Sequence, residues 1–242
     1  MSKAYSLHSL GVSCSISGNE TRAIELKKNA LFMRQRIFLN KDHPDIAWSL
    51  NTLGVSYSNI KDEVNAIKYK ETAKSMLERI FTNDHTDKAY SYHILGVSYS
   101  NIGEESRAIE FFEKALHMRQ RLFNGDHPSI AKSLHTLGVS YSNIGDEGKA
   151  ITYKENALCM RQRLFSGIDH PDIADSFSSL SISFSNKNCQ REAVEYFELA
   201  INMYKRLFYN GDHPNMADLL KNLSLMYSRL GNTIESRIYK EE

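Results

Sequence analysis

The 242-residue sequence predicts an all-α fold in which antiparallel helix pairs repeat along the chain. Histidines that precede a proline or a threonine step by 42, 42, 43 and 43 residues. Leu-Gly or Leu-Ser pairs step by 43, 42, 42, 43 and 43 residues. Inside each unit the apolar residues recur at helical spacing, and no stretch alternates as a strand would. A fixed period of this size is typical of a stacked repeat array.

The two markers divide the chain into units. The histidine marker contains all four prolines, and its copies are His43-Pro44, His85-Thr86, His127-Pro128, His170-Pro171 and His213-Pro214. The leucine marker occurs as Leu10-Gly11, Leu53-Gly54, Leu95-Gly96, Leu137-Gly138, Leu180-Ser181 and Leu223-Ser224. We expect a single array over residues 1–242, with repeats near 1–42, 43–84, 85–126, 127–169 and 170–212 and a partial repeat at 213–242.

The first helix of each unit begins at the histidine marker. In the second unit Pro44 suits the first helical turn, because its missing N–H has no intrahelical partner there. Either Asp42 or His43 can cap that turn. An apolar stripe at i, i+3, i+4 and i+7 spacing follows, formed by Ala47, Leu50, Leu53, Gly54 and Tyr57.

The first helix is expected to end near Ile60, and a longer second helix follows it. Glycines that suit a left-handed C-terminal cap stand at the equivalent position in four other units, as Gly18, Gly103, Gly145 and Gly231. The second helix carries alanines seven residues apart, such as Ala66 and Ala73. We expect these small residues to face the glycine of the first helix, so that the two axes approach closely.

Composition limits the class of protein. The 30 basic and 29 acidic side chains lack the excess positive charge of a nucleic-acid binder. No apolar run approaches the roughly 20 residues that span a bilayer, and the first residues lack a signal-peptide core. Cys14, Cys159 and Cys189 form no CxxC pair and indicate reduced thiols. We expect a cytoplasmic protein without a nucleic-acid or membrane partner.

Sequence motifs of catalysis are missing. The chain has no Gly-rich phosphate loop, no GxSxG and no HExxH. We therefore expect no enzymatic activity, no cofactor and no small-molecule substrate. The marker histidines recur once per unit, about 20 Å apart if each unit adds two helix diameters. They cannot share one zinc ion, so a role at the helix entry is expected and a metal site is not.

The other charge pattern is an RQR element in the last turns of three second helices. Its copies are Arg34-Gln35-Arg36, Arg119-Gln120-Arg121 and Arg161-Gln162-Arg163. Cations in this position complement the helix macrodipole, so we interpret them as solvated helix ends. A basic stripe for an acidic partner or RNA remains the alternative.

The positions of Leu50, Leu53, Gly54, Tyr57, Ala66 and Ala73 resemble the tetratricopeptide repeat. The 42-residue step with an Asp-His-Pro linker resembles the longer variant found in kinesin light chains and nephrocystin-3-like proteins. The resemblance covers essentially the whole chain, as about five and a half units. It implies a right-handed α-solenoid that serves as a non-catalytic scaffold. Kinesin light chains commonly pair two asparagines in the first helix, whereas Asn51 and Asn222 stand singly here.

The resemblance further implies that the first helices line a concave groove and the second helices the convex side. The candidate groove residues are Trp48, Asn51, Val55, Asn59, Tyr90, His93, Val97, Asn101, Lys132, His135, Val139, Asn143 and Asn186. The asparagines near the ends of the first helices can both donate and accept hydrogen bonds, so they can bind an extended peptide backbone. Alternatively, these asparagines only terminate the first helices. Trp48 and Tyr90 are either a ligand platform or inter-repeat packing. Only Lys132 and Lys221 supply cations, which disfavours a ligand with an acidic C-terminal motif.

We therefore expect a scaffold that binds a peptide or a helix in a preformed groove. One alternative is a motor–cargo adaptor similar to kinesin light chains, which an upstream coiled coil would distinguish. Another is the regulatory repeat region of a larger multidomain protein, which flanking coding sequence would reveal.

Overall fold

A computed structural model describes residues 2–208 and 216–241 of the chain. Within these ranges it contains α-helices and no strand, which confirms the predicted all-α class. The helices are α1 (Ser2–Ile16), α2 (Glu20–Ile37), α3 (Pro44–Asn59), α4 (Glu63–Ile80), α5 (Thr86–Asn101), α6 (Glu105–Leu122), α7 (Pro128–Asn143), α8 (Glu147–Leu164), α9 (Pro171–Asn186), α10 (Gln190–Leu207), α11 (Met216–Arg229) and α12 (Thr233–Glu241). None of these described helices has the length and apolarity needed to cross a membrane.

The chain divides into two compact units, Met1–Leu122 and Phe123–Glu242. In the first unit, α1 packs on α2, α3 on α4 and α5 on α6, and the pairs are joined by contacts of α2 with α3 and of α4 with α5. The second unit repeats this plan with α7 on α8, α9 on α10 and α11 on α12, joined through α8–α9 and α10–α11. Odd-numbered helices are thus the predicted first helices, and even-numbered helices the second helices.

The marker histidine, and not the aspartate before it, caps the first helix. His43 Nδ1 accepts a hydrogen bond from the backbone N–H of Asp45 at 3.1 Å. Its ring stacks on Phe38, which follows α2, with 3.4 Å between ring centroids. The same cap and a similar phenylalanine stack occur at His85, His127 and His170. The predicted helix-entry role is confirmed for these four histidines, while His213 lies outside the described residues.

A left-handed residue follows the described end of each first helix. The predicted glycines have φ near +80°, as Gly18, Gly103, Gly145 and Gly231. In the second repeat this conformation falls on Lys61, with φ +64°, one residue after the expected Ile60. In the fifth repeat it falls on Asn188, with φ +62°. The chain reverses within these short turns, and the second helix starts two residues later.

The predicted leucines and alanines form most of the core of the helix pairs, but the marker leucine of the first pair, Leu10, is 52% exposed. The leucine of the second marker has no exposed surface at Leu53, Leu95, Leu137, Leu180 and Leu223. The second-helix alanines are equally buried, as Ala23, Ala30, Ala66, Ala73, Ala108, Ala115, Ala150, Ala157, Ala193 and Ala200. The apolar core is therefore a row of similar small interfaces within each unit.

The glycine after the marker leucine is approached closely by a long side chain and a backbone carbonyl of the second helix. A Cβ on Gly138 would lie 2.6 Å from Cγ of Lys154 and 3.0 Å from the carbonyl oxygen of Ala150. A Cβ on Gly54 would lie equally close to Lys70 and Ala66. The predicted close approach is present, but what the glycine faces is the backbone of an alanine and a long buried side chain, not an alanine methyl group.

Candidate functional site

Most candidate groove residues lie at least partly exposed on the first helices. In the first unit, Trp48 and Tyr90 are 40% and 39% exposed. Around them, Val55 and Val97 are half-buried, and Asn59 and Asn101 are exposed. In the second unit, the exposed members are Lys132, Val139, Asn143 and Asn186, while His135 is half-buried. The first unit therefore presents aromatic and aliphatic surface, and the second a more polar one.

Two candidates lie in the interior instead. Asn51 is 2% exposed, and its side-chain oxygen accepts a hydrogen bond from the hydroxyl of Ser91 at 3.3 Å. His93 is 7% exposed, with its ring centroid 5.5 Å from that of Phe112. Both positions fall where neighbouring helices meet, so neither side chain is offered to a ligand, and we leave both out of the site.

Trp48 combines packing with exposure. Its ring lies against the buried imidazole of His8 on α1, with centroids 3.7 Å apart. The guanidinium of Arg34 lies 5.1 Å from the Trp48 ring centroid. A cavity of about 450 Å³ opens beside the indole and is lined by Ser2, Ala4, Tyr5, Arg34, Asp45 and Trp48. Trp48 is thus held by the preceding repeat while one side of it remains accessible.

The asparagines at the ends of the first helices bind glutamates. Asn59 Nδ2 donates to Glu20 at 2.5 Å, and Asn101 Nδ2 donates to Glu63 at 2.6 Å. The same bond joins Asn186 to Glu147 at 2.7 Å. Each glutamate opens the second helix of the preceding repeat, so the bond connects neighbouring repeats and fixes the orientation of the amide. Neither sequence interpretation anticipated this partner.

The second helices carry a column of buried lysines that the hydrophobic pattern of the sequence did not predict. Lys27, Lys70 and Lys154 on the second helices are 1–3% exposed. Lys70 Nζ donates to the hydroxyl of Ser58 at 2.8 Å and to that of Ser98, in the next repeat, at 2.6 Å. Burial lowers the pKa of Lys70 to about 8, against an opposing effect of Glu63. The available signal was a fixed spacing of 16 residues from the first-helix glycine to the lysine.

At this position the third and fifth repeats carry Phe112 and Phe197, which are also buried. An apolar side chain therefore fits the same place in the fold. Burial also lowers the pKa of Lys154 to about 8, so burying its ammonium group costs free energy at neutral pH.

We expect Lys154→Met to leave the free energy of unfolding at pH 7 within about 1 kcal/mol of the wild type, or to raise it. Lys154→Ala should lower it by about 2–4 kcal/mol, because a cavity replaces the buried stem. Urea denaturation followed by circular dichroism measures both. A methionine variant as unstable as the alanine variant would show that the ammonium group itself holds the interface together.

The second arginine of each RQR element is exposed, as expected of a solvated helix end, but the first arginine is not. The first arginine is buried in all three copies, as Arg34, Arg119 and Arg161. Arg161 Nη1 donates to the hydroxyl of Ser176 at 2.5 Å and to the carbonyl of Asp172 at 3.0 Å, both on the next first helix. The expected solvation is therefore wrong for the first arginine of each element. The hydrophobic pattern at the helix end did not indicate that this arginine is buried.

The second arginine of two RQR elements binds the aspartate that lies just before the first helix of the same helix pair. Arg163 donates through Nε and Nη2 to the two carboxylate oxygens of Asp126, at 2.6 and 2.8 Å. Arg121 binds Asp84 in the same way. The aspartates that precede His43, His85, His127 and His170 are therefore ion-pair partners and not caps. Arg121 and Arg163 are thus engaged in contacts within the fold.

Two further histidines are buried beside cations. Burial, followed by the charges of Arg34 and Lys27, lowers the pKa of His8 to about 4. Burial, followed by the charges of Arg161 and Lys154, lowers the pKa of His135 to about 4. In the described ranges, no group of three or more His, Cys, Asp or Glu side chains is placed to hold a metal ion. Both histidines are therefore neutral at pH 7.

Comparison with known proteins identifies the repeat. Residues 103–163 match the family model of the tetratricopeptide repeat (TPR). No curated protein matches the chain significantly. Solved structures match well, among them the nearly identical TPR-like repeats described as a kinesin light chain of Podosopora anserina. That match has a TM-score of 0.73 at 22% identity, over 84% of this chain and 96% of that one.

Two other solved structures are also similar. BtubC (BKLC) from P. vanneervenii matches with a TM-score of 0.74 at 25% identity, over 86% of this chain and 82% of that one. A Rap protein in complex with competence and sporulation factor matches with a TM-score of 0.67 at 15% identity, over 99% of this chain and 73% of that one. Residues 103–163 thus contain tetratricopeptide repeats, and the chain has the fold of TPR solenoids. Its repeats are similar in fold to those of kinesin light chain-like proteins.

Proposed function

We propose that this protein is a non-catalytic interaction scaffold that binds a peptide or a helix of a partner protein on its first helices. The observation that carries the proposal is the exposure of Trp48 and Tyr90 at equivalent positions of α3 and α5, with a cavity of about 450 Å³ beside Trp48. Exposed large aromatic side chains are the residues that most often dominate the energy of protein interfaces.

The surroundings of Trp48 favour a preformed site. His8 and Arg34 both lie against the indole, so little side-chain freedom is left to lose when a ligand binds. Val55 and Val97 extend the apolar surface along the same helices. The side-chain amides of Asn59 and Asn101, oriented by their glutamates, supply polar contacts at the helix ends. Within the second unit, the first helices carry a more polar candidate surface, formed by Lys132, His135, Val139, Asn143 and Asn186.

Similarity of fold supports a ligand-binding role. The similar Rap protein was solved in complex with competence and sporulation factor. A kinesin light chain-like adaptor is the second candidate, favoured by the similarity to the Podosopora repeats. A coiled coil encoded next to these repeats would support that candidate. We place the protein in the cytoplasm, since its three cysteines are free thiols.

A selection from a random peptide library tests the proposal. We expect peptides selected on the full chain to lose about tenfold or more of their affinity when both Trp48 and Tyr90 are replaced by alanine. Fluorescence anisotropy of labelled peptides measures the affinity, and circular dichroism checks that the helical content is unchanged.

Phe32→Ala is the matched control, because Phe32 is an aromatic residue with 60% exposure on the second helix α2. Its loss should leave peptide binding unchanged. Peptides that bind the Trp48/Tyr90 variant as tightly as the wild type would contradict a ligand site on the first helices.

A further inference from the structure

The first and second helix of most repeats are joined by a stacked pair of aromatic rings, and the charge of the residue next to the pair differs between repeats. In each described repeat from the second onward, a ring of the first helix stacks on a ring of the second helix. The pairs are Tyr57–Tyr69, Tyr99–Phe111, Tyr141–Tyr153, Phe184–Tyr196 and Tyr227–Tyr239, with centroids 5.3–5.7 Å apart. The pairs thus form a repeated feature whose variations can be compared within one chain.

In the third and fourth repeats the chain places its own cation over the pair. The guanidinium of Arg107 lies 4.1 Å from the ring centroid of Tyr99, and Lys149 Nζ lies 4.9 Å from that of Tyr141. Arg107 and Lys149 occupy the same position, two residues after the start of α6 and of α8. Such contacts are attractive because the ring face is electron-rich.

The fifth repeat reverses the charge at this position. The residue two after the start of α10 is Glu192, and both rings of the pair, Phe184 and Tyr196, lie in the same cavity as its side chain. The described cation–ring contacts include none with this pair. The stacked rings of the fifth repeat thus have a carboxylate where two earlier repeats have a cation.

A second carboxylate in this region lacks the partner that its equivalents have. On α4, Glu71 accepts a hydrogen bond from the hydroxyl of Tyr99 at 3.2 Å, and on α10, Glu198 accepts one from Tyr227. The equivalent residue on α8 is Glu155, and the ring that follows it is Phe184, which has no hydroxyl. Glu155 therefore has no tyrosine hydroxyl as a partner here, and it lines a cavity instead.

These residues line one cavity of about 780 Å³ between α8, α9 and α10. We call it the acidic cleft; its lining includes Glu155, Glu192, Glu195, Phe184, Tyr196 and Leu199. Burial, with smaller effects of Glu155, Cys159 and Glu195, raises the pKa of Tyr196. The cleft thus combines a stacked aromatic pair with three carboxylates, and none of its lining residues belongs to the proposed groove site.

We propose that the acidic cleft binds an arginine side chain of a partner protein, with the guanidinium over the Phe184–Tyr196 pair and between the carboxylates of Glu155 and Glu192. Charge complementarity identifies a cation, and the chain's own Arg107 shows how a guanidinium sits on the equivalent pair. A guanidinium is preferred to an ammonium because its plane stacks on rings while its N–H groups bind carboxylates.

The first test titrates the full chain, labelled at leucine methyl groups, with N-acetyl-arginine amide and with the neutral, isosteric citrulline compound. We expect saturable chemical-shift changes at Leu158 and Leu199, which line the cleft, with the arginine probe alone. Equal responses to both probes would overturn the proposal. Shifts that depend on protein concentration instead of probe would assign the cleft to a second copy of the chain and would also overturn it.

Variants that imitate the other repeats give the second test. Glu192→Lys supplies the internal cation that Lys149 provides in the fourth repeat, so it should abolish the arginine response while keeping the melting temperature. Phe184→Tyr gives Glu155 the hydroxyl partner that Glu71 has and should weaken binding by about threefold to tenfold. Glu110→Gln, an exposed acidic site on α6, should change nothing.

If Glu192→Lys is folded and still binds the arginine probe as the wild type does, the proposal is wrong. Should that variant unfold, Phe184→Tyr and Glu192→Gln decide the question, since neither introduces a new charge. Unchanged binding in both would likewise overturn the proposal.

Discussion

Replacing Gly138 by leucine should lower the free energy of unfolding by about 3 kcal/mol or more. A single Cβ at this position already lies 2.6 Å from Cγ of Lys154 and 3.0 Å from a backbone carbonyl oxygen. The lysine stem could shift, but the carbonyl of Ala150 belongs to α8 and moves only with that helix. The leucine therefore forces α7 and α8 apart, which disturbs the buried interface along their whole length.

Thermal and urea denaturation of the full chain measure this effect. Gly148→Leu is the matched control, because a Cβ there would meet only Asp146 Oδ1, at 3.6 Å. The control should keep or slightly raise the stability, since a glycine inside a helix costs about 1 kcal/mol relative to alanine. Gly138→Ser should cost less than leucine, since Ser181 occupies the equivalent place in the fifth repeat. An unchanged thermal midpoint for Gly138→Leu would refute the packing argument.

The second large effect expected is a loss of stability as the pH falls from about 6.5 to about 4. The pKa of His8 and of His135 is about 4 in the folded chain, against an ordinary value of 6.5. Between these values the unfolded chain binds more protons than the folded one. The stabilisation is therefore fully present above pH 6.5 and decreases as the pH falls toward the folded-state pKa.

The size of the effect follows from the pKa difference. At 1.36 kcal/mol per pH unit, the shift of His8 corresponds to about 3 kcal/mol between the two ends of this range. His135 is partly exposed, so solvent reduces its contribution. Protonation would place a further positive charge next to Arg34 and Lys27 for His8, and next to Arg161 and Lys154 for His135.

Urea denaturation at pH 7, 6, 5 and 4 tests the expectation against the double variant His8→Asn/His135→Asn. Asparagine is the natural residue at this position of the second repeat, where Asn51 is buried. Carboxylates also titrate near the acid end, so the difference in slope between the two proteins isolates the histidines. Parallel curves for wild type and variant would show that neither histidine couples folding to protonation.

The starts and ends of the helices could be predicted from the sequence, because they depend on residues close together in the chain. The proline and histidine at Pro44 and His43 set a helix start, and a glycine such as Gly103 sets an end, because these residues act on their own backbone. Leucines and alanines at helical spacing identified most of the core, because they form one apolar face along each helix. The class of fold and most helix boundaries therefore follow from the chain itself.

The candidate site was less predictable, because side-chain burial depends on how neighbouring helices are rotated against one another. Asn51 and Trp48 are three residues apart on one helix, yet one is buried and the other accessible. Lys70 and Arg161 can be buried because serines of the next first helix accept hydrogen bonds from them. A hydrophobic pattern assigns such residues to the surface. Only a comparison of successive repeats, residue by residue, carries a signal for them.

The lysine column also restricts the order of the repeats. Lys70 and Lys154 each donate to a serine of the following first helix, Ser98 and Ser183. After α10, where Phe197 replaces the lysine, the residue at the serine position is Met226, in the same hydrophobic cluster. Exchanging the fourth and fifth repeats would place an ammonium group against methionine. Although the units look alike, Lys70, Lys154 and Phe197 are each matched to the residue that they meet in the next repeat, so these buried contacts restrict which repeat can follow which.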